Sequence, residues 1–209
     1  MVTVRFTRYS AGCRSASGAW RRTSTRTITY GSSGHDAAVS ACSVRLYQQG
    51  DAEHLSAAAR ESVAEVSPWL AWCHPRYSLD EAREWIAAQE ELAKQGQAFA
   101  FAIWREGQYL GGCGINQVNA ANRFANLGYW VRSSAMGRGV APAAVRLVAE
   151  YAFRETDLIR LEIVCAIGNL RSQRVAEKSG ALREGVLRNR LVLPSGPSDA
   201  VMFSLLKPK

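Results

Sequence analysis

The sequence predicts a mixed α/β (α+β) domain: a mostly antiparallel, twisted sheet of about seven strands flanked by about four helices. Three observations carry this. Helical periodicity in the first half gives way after residue 97 to three consecutive alternating runs separated by short turns. A glycine-containing loop then joins the third run to a new helix. A β-branched run, another helix and a closing hairpin complete the pattern.

In chain order, Val44 to Tyr47 alternates as a first strand, ended by Gly50-Asp51. Asp51 to Val66 reads as one helix capped by Asp51, with an apolar stripe through Leu55, Ala59, Val63 and Val66. Ser67-Pro68 interrupts it before Trp69-Leu70-Ala71-Trp72. Ser78-Leu79-Asp80-Glu81 is a capping box opening a helix to about Gln95, with Gly96 as its stop. Strands follow at Ala98 to Arg105, Tyr109 to Val118 and Ala125 to Val131, turned by Glu106-Gly107 and Ala120 to Arg123. Pro142 to Glu155 forms a helix with Pro in its first turn, where a missing N–H is tolerated. Leu161 to Ala166 suits a buried strand, and Asn169 to Ser179 a helix stopped by Gly180. Val186 to Leu193 and Ala200 to Leu206 form a hairpin around Pro194 to Pro197.

Composition sets the class. With 47% hydrophobic and 21% charged residues in 209, the chain can bury a core, and no uninterrupted apolar run reaches the ~18 residues of a membrane span. Five scattered cysteines without a CxxC pair argue against a zinc site or a disulfide framework and for free thiols, hence a cytoplasmic location and no metal. The three histidines all fall within the first 74 residues, against a metal site or a Ser-His-Asp triad in the second half. The net charge of +8 is uneven: residues 1–42 hold six arginines and one acid, whereas residues 43–209 hold 20 basic and 17 acidic groups. A domain so nearly balanced argues against nucleic acid as its partner. Residues 1–42, rich in Ser, Thr, Gly and Arg, read as a disordered basic extension, although Thr3 to Tyr9 and Thr23 to Tyr30 could pair as strands and the arginine bias also fits an organellar transit peptide. Residues 43–209 read as the domain.

The chemistry centres on Tyr129-Trp130-Val131, a five-residue linker, then Gly137-Arg138-Gly139-Val140-Ala141 opening a helix. Glycines allow a tight turn and close ligand approach, and first-turn N–H groups with the helix dipole favour an anion such as a diphosphate. The alternative is a strand-to-helix turn without ligand. A dinucleotide fingerprint fits poorly: Pro142 stands where the third glycine belongs, the glycines do not directly follow the strand, and meander strands precede them.

On these elements and on Trp69-Leu70-Ala71-Trp72, Leu127-Gly128-Tyr129-Trp130-Val131, Gly137 to Ala141, Arg160-Leu161-Glu162 and Asn169 to Gly180, the chain resembles the GNAT N-acetyltransferases of the RimJ/RimL type over about four-fifths of its length. The resemblance implies a GNAT fold, acetyl-CoA as co-substrate, and transfer to a primary amine, through direct attack in a ternary complex. It implies that backbone amides of Gly137, Arg138, Gly139, Val140 and Ala141 hold the CoA diphosphate. Backbone at Val131 and Ser133 would pair with the pantetheine arm, and an amide near Val131 would polarise the thioester carbonyl. Asn169 would bind CoA or the strand ends around it, and Ser172 would protonate the departing thiolate.

Plainer readings stand beside these. Asn169 could simply cap its helix, and Ser172 could be a first-turn polar residue. Trp69, Trp72 and Trp130 read as core or rim, and Arg160 with Glu162 as a structural ion pair. Departures from the family pattern are Met136 at the loop's first position, Pro142, and Asn126 where many relatives carry Glu; Asn189, Arg190 and Leu191 supply no later acid either. Without that carboxylate a protein or peptide N-terminus, or a low-pKa small-molecule amine, is favoured over lysine. A small-molecule acetyltransferase and a non-catalytic acyl-CoA-binding module remain alternatives, as do monomer and homodimer.

Overall fold

The computed structural model describes Ile28–Thr29 and residues 42–209. Eight strands form one sheet: β1 (Ile28–Thr29), β2 (Ser43–Leu46), β3 (Phe99–Arg105), β4 (Gln108–Asn119), β5 (Phe124–Val131), β6 (Arg160–Ala166), β7 (Leu182–Leu193) and β8 (Gly196–Leu206). Their spatial order is β1-β2-β3-β4-β5-β6-β8-β7. Every neighbouring pair is antiparallel except β5 with β6. Five helices accompany the sheet: α1 (Ala52–Glu61), α2 (Val63–Val66), α3 (Leu79–Lys94), α4 (Val140–Glu155) and α5 (Leu170–Lys178). No helix among the described residues is long and apolar enough to cross a membrane.

Seven strands and the later helices fall where the sequence places them. The eighth, β1, lies inside the basic extension and pairs Ile28 with Val44. Thr3 to Tyr9 and Cys13 fall outside the described residues. Cys42 is buried in the core, one residue before the expected domain start.

The helix expected over Asp51 to Val66 breaks at Ser62. Its hydroxyl donates to the Ala58 carbonyl at 2.7 Å and accepts the Ser133 N–H at 3.0 Å, competing with the helical ladder. Asp51 is also not a side-chain cap. It pairs with Arg45 at 2.6 Å and accepts the Gln48 N–H at 2.9 Å. By contrast the capping box forms as expected: the Glu81 N–H donates to Ser78 Oγ (3.1 Å) and the Ser78 N–H to Glu81 Oε2 (2.8 Å).

Strand alternation divides the core. In β3, Phe99, Phe101 and Ile103 face α4, whereas Ala100, Ala102 and Trp104 face α1–α3. In β5, Ala125, Leu127, Tyr129 and Val131 join α4, and Trp130 joins the opposite cluster with Leu55, Leu70 and Ile86. Tyr47 and Tyr109 hydrogen-bond through their hydroxyls within that cluster, and burial raises both well above the usual phenol range. Gly112 makes room for them: a Cβ there would stand 2.7 Å from Tyr47 Oη and 2.9 Å from Trp130 Nε1.

Candidate active site

β5 and β6 pair for only three residues, Phe124–Asn126 against Arg160–Glu162. Beyond that point β4 still holds β5 as far as Val131, and β8 still holds β6 as far as Ala166. A wedge therefore opens between two strands that are each anchored on their outer side. The Arg132 N–H donates to the Leu110 carbonyl at 2.9 Å. Antiparallel ladders alternate, so Gly128 and Trp130 turn their backbone groups to β4, while Leu127, Tyr129 and Val131 turn theirs into the wedge. An extended ligand arm can complete such an edge, because unpaired strand groups there need partners.

At one end of the wedge lies the loop into α4. Gly137 (φ 76°) and Gly139 (φ 72°) are left-handed, and a Cβ on either would meet nothing within 4 Å, so conformation rather than crowding selects glycine. Gly139 is the N-cap of α4 and offers no side chain to its first turn, which contains no acid. The N–H groups of Gly137, Arg138 and Gly139 have no partner among the described residues, and helix geometry leaves those of Val140 and Ala141 without intrahelical acceptors. Gly137 to Gly139 are exposed. This converging set of donors at a positive dipole end fits an anion.

The linker before the loop is clamped rather than extended. Ser133 starts a 3-10 turn (Ser133–Ala135); its N–H goes to Ser62 Oγ and its carbonyl accepts the Met136 N–H at 3.2 Å. Both backbone groups of Ser133 thus have partners within the protein, and β5 ends at Val131. Glu61 holds the same linker by pairing with Arg132 and accepting the Ser134 N–H at 2.9 Å, and the Arg132 hydrogen bond is the main reason its carboxyl is held down to about 2.

α5 closes the wedge on the far side. Asn169 caps it, with Oδ1 accepting the Ser172 N–H at 3.0 Å. Ser172 is buried, and its hydroxyl lies 3.1 Å from Tyr129 Oη of β5 and 3.3 Å from Cys165 Sγ of β6. Tyr129 Oη also donates to the Ser172 carbonyl at 2.7 Å. Ser172 thus bridges the two diverging strands. Neither Tyr129 nor Cys165 stands out in sequence as a site residue; only their places on inward faces of adjacent diverging strands reveal them.

On the α1–α3 side the charged pair beside Asn126 is committed. Arg160 binds Glu162 at 2.9 Å and Glu184 at 2.5 Å, and Arg160 and Ser204 hold Glu184 down to about 2. Asn126 is buried; its Nδ2 donates to Asn116 Oδ1 at 2.8 Å, and its Oδ1 has no hydrogen-bond partner among the described residues. Leu191 is core, and the Asn189 N–H is taken by Asp199. Trp72 and Trp130 meet edge to face at 5.3 Å, and Trp69 packs partly buried between two apolar clusters.

Residues 43–182 match the acetyltransferase (GNAT) domain family. The chain belongs to the GNAT acetyltransferase family. It is 32% identical over 166 residues to YdaF of Bacillus subtilis (strain 168), named as a candidate ribosomal N-acetyltransferase, covering 78% of this chain and 90% of that protein. It is 26% identical to the ribosomal-protein-serine acetyltransferase of Escherichia coli (strain K12), over 65% of this chain and 75% of that protein. Among solved structures it resembles RimL, a ribosomal L7/L12 α-N-protein acetyltransferase in complex with coenzyme A. That likeness has a TM-score of 0.74 at 22% identity and covers 79% of this chain and 93% of the other.

Proposed function

We propose that the enzyme transfers acetyl from acetyl-CoA to a primary amine, in particular a protein or peptide N-terminal α-amine, by direct attack in a ternary complex. The observation that carries the reading is the wedge, whose β5 edge runs beyond its pairing with β6 into a loop of N–H donors that have no partner among the described residues, at the head of α4. The CoA complex of the RimL-like fold and the ribosomal-protein names of the relatives support the same donor and acceptor class.

In this scheme the amides of Gly137 to Ala141 hold the diphosphate, with Pro142 contributing none. The Val131 N–H polarises the thioester carbonyl. The amine nitrogen bonds to the carbonyl carbon, the C–S bond breaks, and the Ser172 hydroxyl gives its proton to the thiolate and regains one from solvent. Asn169 acts by holding Ser172 through the cap, and toward CoA through the rest of its amide.

The amine's own proton leaves to water, because Asn126 can accept a hydrogen bond but not a proton, and Glu162 is tied to Arg160. This favours amines that are already partly neutral. An α-amine with pKa about 8 is roughly a tenth neutral at pH 7, whereas a lysine near 10.4 is only about 0.04% neutral.

Thiol release from acetyl-CoA tests the reading with two peptide sets, one whose sole amine is the N-terminus and one Nα-blocked with a single lysine. Preferential turnover of the first supports it, and equal or faster turnover of the lysine set refutes it. Tight acetyl-CoA binding without turnover of any amine, small molecules included, would favour the binding-module reading, which the absence of a free carboxylate at Asn126 motivates.

A further inference from the structure

Three glycines of β4 have local steric reasons. A Cβ at Gly111 would collide with the Trp130 carbonyl, one at Gly112 with Tyr47 Oη, and one at Gly114 would lie 2.9 Å from the Phe99 carbonyl. Gly128, directly opposite Gly114 in the middle of β5, has none. Its φ is not in the left-handed region, and among the described residues an added Cβ would find only Asn126 Nδ2, at 4.0 Å. Glycine inside a strand weakens it, since it packs nothing and gains most freedom on unfolding. The described residues by themselves would accept a larger residue here.

Period-two alternation sets which face is affected. Trp130 belongs to the cluster under α1–α3, so Gly128 and Asn126 present their Cβ positions to that same face. Both Gly114 and Gly128 are partly exposed, although they sit centrally in the sheet and their neighbours Ala102, Gly112 and Trp130 on the same face are buried. They form a bare floor between Asn116 and Asn126 on one side and Trp130 with Trp72 on the other. α4 covers the opposite face of β5 through Leu127, Tyr129 and Val131. The side on which something can approach the wedge from outside the sheet is therefore the side of this floor. Gly128 is three residues from Val131, about 10 Å along the strand. One amino-acid residue joined to an acetyl group spans a distance of that order.

We infer that Gly128 is a specificity-determining position: the first residue of the acceptor lies across it, and the missing side chain is the room that residue occupies. This rests on the α-amine reading above and sharpens it, since a floor of bare glycine backbone sets a limit on the size of the acceptor's first side chain.

The test compares wild type, Gly128→Ala and Gly128→Val with three otherwise identical peptides beginning with Gly, Ser or Leu. Gly128→Ala raises the acceptor KM in the order Leu above Ser above Gly, with at least a tenfold spread in the loss of kcat/KM. Gly128→Val lowers kcat/KM for the Ser peptide at least 100-fold. In both variants the acetyl-CoA Kd stays within twofold and the melting temperature is equal or higher; if Gly128→Val fails to fold, the graded loss in Gly128→Ala decides. Wild-type KM values in both variants, or an equal loss for all three peptides, overturn the placement while leaving the α-amine reading intact. No turnover of any peptide by wild type refutes the α-amine reading, and the placement with it.

Discussion

Replacing Gly139 by Asn and by Asp separates charge from shape at the α4 N-terminus. Gly139 sits at φ 72° and ψ 5°, and a Cβ there meets no atom of the described residues within 4 Å, so both replacements introduce the same left-handed cost of about 1–2 kcal/mol and no clash among them. Either side chain can also accept a first-turn N–H, which returns a few tenths of a kcal/mol over glycine. Apo stability therefore falls by a similar small amount in both. Binding should differ. A carboxylate about 5 Å from a diphosphate carrying two charges costs, at the dielectric of water, about 1.7 kcal/mol, and several times more at an effective dielectric of 20. Asp should thus weaken acetyl-CoA at least about 15-fold relative to Asn, and the gap should shrink with added salt. Isothermal titration of both variants at low and high ionic strength measures it. Equal affinities would refute the assignment of this loop to the diphosphate.

Further outcomes follow from the same contacts. Ser172→Ala should lower kcat about 100-fold or more with acetyl-CoA affinity nearly unchanged, read by steady-state thiol release. Tyr129→Phe should destabilise by about 1–2 kcal/mol, because it leaves the buried Ser172 carbonyl without its 2.7 Å donor; urea unfolding reads the loss. Glu61→Gln should cost about 1 kcal/mol at pH 7, discounted for partial exposure of the pair. Because the folded Glu61 carboxyl is depressed to about 2, its contribution is present above the ordinary carboxylate value and fades as pH falls toward 2. Unfolding at pH 7, 4.5 and 3 should show wild type and variant converging. Leu127→Ala, fully buried under α4, should cost about 2–5 kcal/mol by the same measurement.

Local signals made much of this enzyme readable. Ser78 and Glu81 sit three residues apart because reciprocal capping requires it, and that spacing is a sequence property. Gly96, Gly107, Gly137, Gly139 and Gly180 stand where the backbone turns left-handed, which few other residues tolerate. Asn169 is a cap because its short side chain reaches its own helix. Where the readings failed, the deciding partner was distant. Ser62 breaks the first helix while its hydroxyl serves Ser133, 71 positions later, and nothing near Ser62 predicts that. Nothing in the linker itself shows that Glu61 and Ser62 are brought against it. β7 begins four residues before its apolar alternation, because an edge strand paired only with β8 needs no regular buried face.

The amino-acid order by itself determined the succession of helices and strands, the glycine loop and the resemblance to a family, since each is written in contacts between residues a few positions apart. Tertiary structure alone decided that β5 and β6 part company after Asn126 and Glu162. It also decided that Tyr129 and Cys165 meet at Ser172, and that Gly128 lies bare. Those facts depend on which strands become neighbours in the sheet, and neighbours joined across 36 or more residues leave no periodic trace in either strand.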